Sequence, residues 1–235
     1  MARQQKIVQA AGKAPSVAGA GAKTAVERKA PRTRSKAREY LDAIVVAVLM
    51  ALFFRQFVIQ AFRIPSSSME STLLVGDFLF VNKFLYGAQI PFTDLRLPAV
   101  RQPQRGDIIV FKSPTDGRDF IKRCIAVGGD TVELRRKTLY VNGVAQEESY
   151  TQNLDANVHS RSQGPRDSMG PLVVPEGHIF MLGDNRDNSH DSRFWGPLET
   201  THVRGKAMFI YFSIDTSRGL FPPRLRFTRI GDIIR

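Results

Sequence analysis

Asp119-Phe120-Ile121-Lys122-Arg123-Cys124-Ile125-Ala126-Val127, then Gly128-Gly129-Asp130, then Thr131-Val132-Glu133-Leu134, reads as two short strands parted by a glycine turn. The same texture extends in both directions. Strand-forming runs occur at Phe78 to Lys83, Asp107 to Phe111, Thr138 to Val141, His178 to Leu182 and Lys206 to Phe212, separated by Gly, Pro, Asn and Asp. Asn142-Gly143, set between Leu139-Tyr140-Val141 and Val144-Ala145-Gln146, is a hairpin turn signal. Helical periodicity nearly vanishes after residue 62. The expected fold is therefore mainly β: one antiparallel domain over 63–235, with a small appended β or loop subdomain. That subdomain is placed at the polar insertion 146–172, where Gln, Asn, Ser and Gly dominate and few residues could enter a core.

The N-terminal part has a different character. Residues 1–40 hold ten Lys or Arg against Glu27 and Glu39, a charge of +8 that leaves only +4 of the chain's +12 for everything after. A basic, Ala-, Gly- and Ser-rich tail with few large apolar residues cannot bury enough surface to fold, so disorder is expected there. The imbalance argues against a basic nucleic-acid-binding domain further on.

Leu41 to Phe62 is 22 residues long, with only Asp42, Arg55, Gln56 and Gln60 outside the apolar set. As a helix it would span roughly 33 Å. Ala43 to Phe54 is apolar on every side, unlike an amphipathic surface helix, and contains no Gly or Pro. The expectation is one transmembrane anchor over 41–62. Ten basic residues before it put the N-terminus in the cytoplasm and the β domain outside the cell (inner) membrane. The preceding basic region is too long for a cleaved signal peptide, so the anchor is read as retained. The single Cys124 allows no intrachain disulfide, and no His/Cys/Asp cluster has metal-ligand spacing. Neither metal nor organic cofactor is expected.

A serine hydroxyl needs a base to become a nucleophile; histidine is usual and a neutral lysine is a known substitute. None of the four histidines, His159, His178, His190 and His202, comes with a Ser and Asp arrangement. Lys122 lies in a strand between Phe120 and Cys124 on one face, with Ile121, Arg123 and Ile125 on the other. Such neighbours would exclude water, which disfavours the ammonium. Ser66, Ser67, Ser68 and Ser71 taken alone are ordinary turn residues.

Read together, Ile64-Pro65-Ser66-Ser67-Ser68-Met69, Thr72-Leu73-Leu74-Val75-Gly76-Asp77, Arg105-Gly106-Asp107-Ile108-Ile109-Val110-Phe111, Asp119 to Arg123, Val127-Gly128-Gly129-Asp130 and Gly183-Asp184-Asn185-Arg186-Asp187-Asn188-Ser189-His190-Asp191-Ser192-Arg193-Phe194-Trp195-Gly196 closely resemble bacterial type I signal peptidases in order and spacing. The resemblance implies a serine endopeptidase that removes N-terminal signal peptides from exported preproteins through an acyl-enzyme. It assigns Ser68 as nucleophile, Lys122 as general base and Ser189 as the residue orienting the lysine. Ser66, with the backbone N–H of Ser68, forms the oxyanion hole, and Asp191 and Arg193 form a supporting ion pair. Substrates carry small residues at −1 and −3. Ile64, Pro65, Met69, Leu73, Phe120 and Ile121 are assigned to the −1 pocket, and Phe62, Leu79, Val110, Asp119 and Ile121 to the −3 pocket. Preproteins, the lipid bilayer and the secretion machinery are the implied partners, with no nucleic acid. Three positions depart from the family pattern: Ser71 replaces a common proline, Phe120 a common tyrosine and His190 a small residue.

Two other classes fit parts of the chain. A self-cleaving repressor also uses a Ser-Lys pair on a β fold, but the apolar anchor and the absence of helix-turn-helix periodicity in 1–40 count against it. A catalytically silent membrane scaffold is the other. An organellar address for the Arg- and Ser-containing tail is a further alternative to the bacterial membrane.

Overall fold

The computed structural model describes residues 35–235 apart from 91, 92, 94 and 216–223. The disorder expected for 1–40 lies outside the described residues over 1–34, while 36–40 form the first turns of a helix instead. The chain divides into two units, Met1–Asp42 and Ala43–Arg235, and the second contains both sheets.

Helix α1 runs Lys36–Phe57, which corrects the expected 41–62. After Val58 the chain enters strand β1 (Ile59–Arg63), whose alternating exposure marks a one-sided strand. The final residues of the apolar run therefore satisfy their backbone groups on a neighbouring strand instead of within a helix. Among the described residues no helix is long and apolar enough to cross a membrane; Asp42 and Arg55 close the uninterrupted apolar stretch at both ends. Leu41, Ile44, Val46, Leu49, Leu52 and Phe53 of α1 are all exposed, so the helix carries apolar surface all round.

The further strands are β2 (Asp77–Asn82), β3 (Ile108–Lys112), β4 (Asp119–Val127), β5 (Thr131–Arg135), β6 (Thr138–Val141), β7 (Val144–Ala145), β8 (Met169–Val173), β9 (His178–Leu182), β10 (Leu198–Glu199), β11 (Val203–Asp215) and β12 (Arg224–Leu225). The main sheet has the order β1-β2-β11-β3-β4-β9-β10, with β12 paired to β11; a second sheet has the order β7-β6-β5-β8. All the strand pairings are antiparallel. Asn142 and Gly143 both adopt positive φ, 53° and 79°, so the expected hairpin forms with Val141 opposite Val144.

Both faces of the main sheet are covered at β3 and β4, which explains the continuous apolar run of β3. Ile108 and Val110 join Ile64, Met69, Leu73, Leu79 and Ile121 in one core, while Ile109 and Phe111 join Cys124, Met181 and Leu198 in another. A third core, with Val132, Leu139 and Phe180, underlies the second sheet. Cys124 is one of the small apolar fillers, its thiol pushed up to about 12 by burial. The insertion 146–172 supplies the start of β8, and so belongs in part to the second sheet.

Candidate active site

The Ser68 loop leaves the sheet after β1 and returns at β2. It is closed at its base by Ile64 N–H donating to the Asp77 carbonyl at 2.8 Å and Gly76 N–H donating to the Ile64 carbonyl at 3.0 Å. Met69 and Leu73, both 0% exposed, root it in the core, and Leu73 N–H closes a helical turn on the Met69 carbonyl at 2.8 Å. The loop's outer side is stitched to the segment after β9. Asn185 N–H donates to the Ser68 carbonyl at 3.2 Å, the Asn185 side-chain amide to the Ser67 carbonyl at 3.2 Å, and the Asn188 amide to Ser67 Oγ at 2.7 Å. Approach here is so close that Gly183 is required. A Cβ at that position would lie 2.2 Å from Ser189 Oγ and 2.5 Å from the Ser68 carbonyl oxygen.

Lys122 lies mid-strand in β4, opposite Ile109 of β3. Its Nζ donates to Ser68 Oγ at 2.6 Å, and both side chains are buried. The amine also lies 5.5 Å from the centre of the Phe120 ring. Burial is the main cause holding the lysine down, from an ordinary value of 10.5 to about 8; the Asp191 and Asp184 carboxylates oppose it and Arg193 reinforces it. Each carboxylate is already bound by its own arginine. Asp191 receives Arg193 Nε and Nη2, both at 2.8 Å, and Asp184 receives Arg123 Nε at 2.9 Å and Nη2 at 2.7 Å. Neither acid therefore presents a free charge that would pin the lysine as an ammonium.

Arg193 also donates to the backbone carbonyls of Arg166, Arg186 and Ser189, and Asp191 accepts from Gly183 N–H and caps the short helix α2 (Ser192–Trp195). The pair thus fixes the whole loop that carries Ser189. Ser189 Oγ is buried without a hydrogen-bond partner, on the wall of the cleft that holds Lys122. The amine points to Ser68 and not to Ser189. Ser66 is exposed at the rim of the same cleft.

That cleft, about 650 Å³, is lined by Pro65, Ser68, Asp119, Phe120, Ile121 and Lys122 on one side and by Asp187 to His190 with Phe194 on the other. A hollow of about 30 Å³ lies beside it, lined by Phe62, Ile64, Pro65, Val110, Asp119, Phe120 and Ile121. Three residues assigned to the pockets lie elsewhere. Met69, Leu73 and Leu79, each 0% exposed, are packed in the core beneath the loop and line neither cavity. Their apolar character serves to hold the loop up.

Arg123 and Asp184 carry no role in the sequence reading, although both fall within the quoted motifs. The sequence carries only a partial signal: an arginine beside Lys122 in a strand of apolar residues needs an acid once both faces are covered. Thr72 Oγ1 completes this group, donating to Asp184 Oδ2 at 2.6 Å. Among the described residues no cluster of His, Cys, Asp or Glu could hold a metal ion. A buried serine hydroxyl against a desolvated amine, at the edge of an open cleft with an adjoining small apolar hollow, is an arrangement suited to acyl transfer on a peptide.

Residues 37–212 match the family described as signal peptidase, peptidase S26. The signal peptidase I of Pseudomonas aeruginosa is 36% identical over 225 residues, covering 83% of this chain and 78% of that protein. That of Aquifex aeolicus is 36% identical over 228 residues, covering 75% of this chain and 84% of that protein. The signal peptidase I of Haemophilus influenzae is 31% identical over 268 residues, covering 86% and 77%.

Proposed function

The chain belongs to the signal peptidase, peptidase S26 family, and from that premise we propose that it is a membrane-associated serine endopeptidase cleaving signal peptides from exported preproteins with a Ser68–Lys122 dyad. The observation that carries the dyad is the 2.6 Å contact between Lys122 Nζ and Ser68 Oγ inside a buried site. At pH 7 a pKa of about 8 leaves about a tenth of the amine neutral, against roughly one part in three thousand at 10.5. The neutral amine takes the Ser68 proton as Oγ attacks the scissile carbonyl. Charge on that oxygen is met by the Ser68 backbone N–H and the Ser66 hydroxyl at the rim. The resulting ammonium protonates the departing amine and leaves the acyl-enzyme. Lys122, neutral again, then deprotonates the water that releases the acid. Ser189 Oγ is the partner for the lysine once Ser68 is acylated and no longer accepts its hydrogen bond.

The substrate lies extended along the cleft, held by backbone hydrogen bonds, with alternate side chains directed at the protein. The small hollow is supported as the −3 site by its size, which favours a small side chain, and by its walls Phe62, Val110, Asp119 and Ile121. Ile64, Pro65, Phe120 and Ile121 bound the adjoining −1 position.

Association with a bilayer is supported by two surfaces. One is Ala43 to Phe54 of α1, apolar on all sides. The other is the outer face of β2 and β11, where Phe80 stacks on Tyr211 at 4.3 Å and Phe78 and Phe209 flank them. The basic tail stays cytoplasmic and the β domain faces outward, as the charge asymmetry favours.

The test is cleavage, in detergent, of a preprotein bearing Ala-x-Ala before its mature end. Wild type cuts there, and Ser68→Ala and Lys122→Ala are folded and inactive; appreciable turnover by either variant refutes the dyad.

A further inference from the structure

The polar insertion touches the segments that carry Ser68, Lys122 and Ser189. Its residues 148–152 contact three chain segments that have no local reason to keep register with one another. Gln152 N–H donates to the Asp184 carbonyl at 2.8 Å and the Gln152 carbonyl accepts Arg186 N–H at 2.9 Å, so the insertion forms a parallel bridge with the loop after β9. Glu148 and Arg186 form a buried ion pair beside that bridge, with Arg186 Nη1 2.8 Å from Glu148 Oε2. The Tyr150 ring lies under the Arg123 guanidinium, its centre 3.8 Å from Cζ, and its hydroxyl donates to Glu148 at 2.9 Å. The Tyr150 carbonyl accepts the Ser71 hydroxyl. Ser71 has a φ of 94°, a conformation that costs a non-glycine residue energy and excludes proline. The serine at this position thus supplies a hydroxyl that ties the strained turn to the insertion.

We infer that residues 148–152 are a positioning clamp for the dyad, with Tyr150 as its central residue: through Ser71, Arg123 and the Asp184 loop it holds the Ser68 turn, the Lys122 strand and the segment bearing Ser189 in one geometry. The inference rests on the Ser68–Lys122 reading and adds a residue that touches no reacting atom. The charged groups acting on Lys122 are Asp184 and Asp191, which favour its ammonium, and Arg193, which opposes it. Arg123 offsets Asp184. When the Tyr150 ring is lost, Arg123 loosens, Asp184 acts more strongly on Lys122 and water reaches the amine. Both changes favour the ammonium, so the lysine titrates at higher pH.

The experiment compares full-length wild type, Tyr150→Phe and Tyr150→Leu in detergent. One readout is the pH profile of cleavage of the Ala-x-Ala preprotein. The other is the pH midpoint of Lys122 ionisation, taken from the stability difference between each protein and its Lys122→Met partner. Tyr150→Phe keeps the ring and stays within about twofold of wild type, while Tyr150→Leu loses about tenfold in kcat at unchanged KM, a misplacement effect. Its midpoint rises in both readouts. A folded Tyr150→Leu with wild-type kcat and midpoint overturns the clamp. If Tyr150→Leu does not fold, Ser71→Ala, which keeps the Cβ at the same φ and deletes only the hydroxyl tie, carries the test: a lower kcat supports the clamp and a wild-type kcat overturns it. A wild type that cuts no preprotein refutes the peptidase reading, and the stability midpoint still decides the clamp.

Discussion

Lys122→Met replaces a buried amine by an apolar chain of similar length, and the structure fixes how the resulting stability should vary with pH. Holding Lys122 at about 8 when its unfolded value is 10.5 means that the native state disfavours the ammonium by about 3 kcal/mol. Below pH 8 both states carry the proton and the wild type bears this whole penalty. Between 8 and 10.5 the native lysine is neutral while the unfolded one still binds its proton, so wild-type stability rises with pH. Above 10.5 both are neutral and the penalty is gone. The methionine variant lacks this dependence, and all other titrating groups cancel in the difference. Its pH-dependent advantage is therefore about 3 kcal/mol at pH 7, about 2 at pH 9 and under about 0.5 at pH 10.5. Changes in packing and loss of the hydrogen bond to Ser68 add an offset that is constant with pH. The assay is urea unfolding of both proteins in one detergent at these pH values; with a slope of about 2 kcal/mol/M the midpoints converge by more than about 1 M from pH 7 to 10.5. A separation that stays constant to within about 0.5 kcal/mol would refute the desolvated lysine, and with it the reason this amine can act as a base.

The same value sets the reaction's pH dependence: kcat/KM climbs about tenfold per pH unit below 8 and levels above it, and a flat profile from 6 to 9 would contradict a lysine base. Gly183→Ala drives a methyl against Ser189 Oγ and the Ser68 carbonyl; cleavage should fall about a hundredfold in a protein that still folds, and a wild-type rate would show that the two loops can part without consequence. Val110→Phe fills the 30 Å³ hollow. Turnover of a preprotein with Ala at −3 should then drop much more than that of one with Gly there, and an equal drop for both would dissociate the hollow from −3 selection.

The strands flanking the site were legible because their apolar runs and glycine turns are local signals, and Lys122 stood out because an amine between Phe120 and Cys124 is shielded from much of the solvent. Ser68 had no such mark: four serines within six residues look alike, and only the order of motifs along the chain singled it out. Met69, Leu73 and Leu79 went to the wrong place for a related reason, since an apolar residue beside a reactive serine can line a pocket or support a loop, and the difference lies in how the loop folds back onto β2. Strand alternation also concealed Arg123, which is outward-facing in a one-sided sheet but buried once β4 is covered on both faces. The ties from 148–152 could not be read at all, because a backbone bridge such as that of Gln152 leaves no trace in side-chain pattern.

The position of β11 governs when this site can exist. Ser68 belongs to the loop between β1 and β2, and Lys122 to β4 beyond β3, yet in the main sheet β2 is joined to β3 through β11, a strand made some eighty residues after the lysine. A ribosome that has delivered everything up to His202 has released both reacting groups without the strand that aligns them. Pairings between such distant segments form slowly, so Ser68 and Lys122 stay unaligned by the sheet until β11 has been made. Sheet order thus acts as a delay: on the proposed reading, the cutting geometry is gained only once β11 has been made.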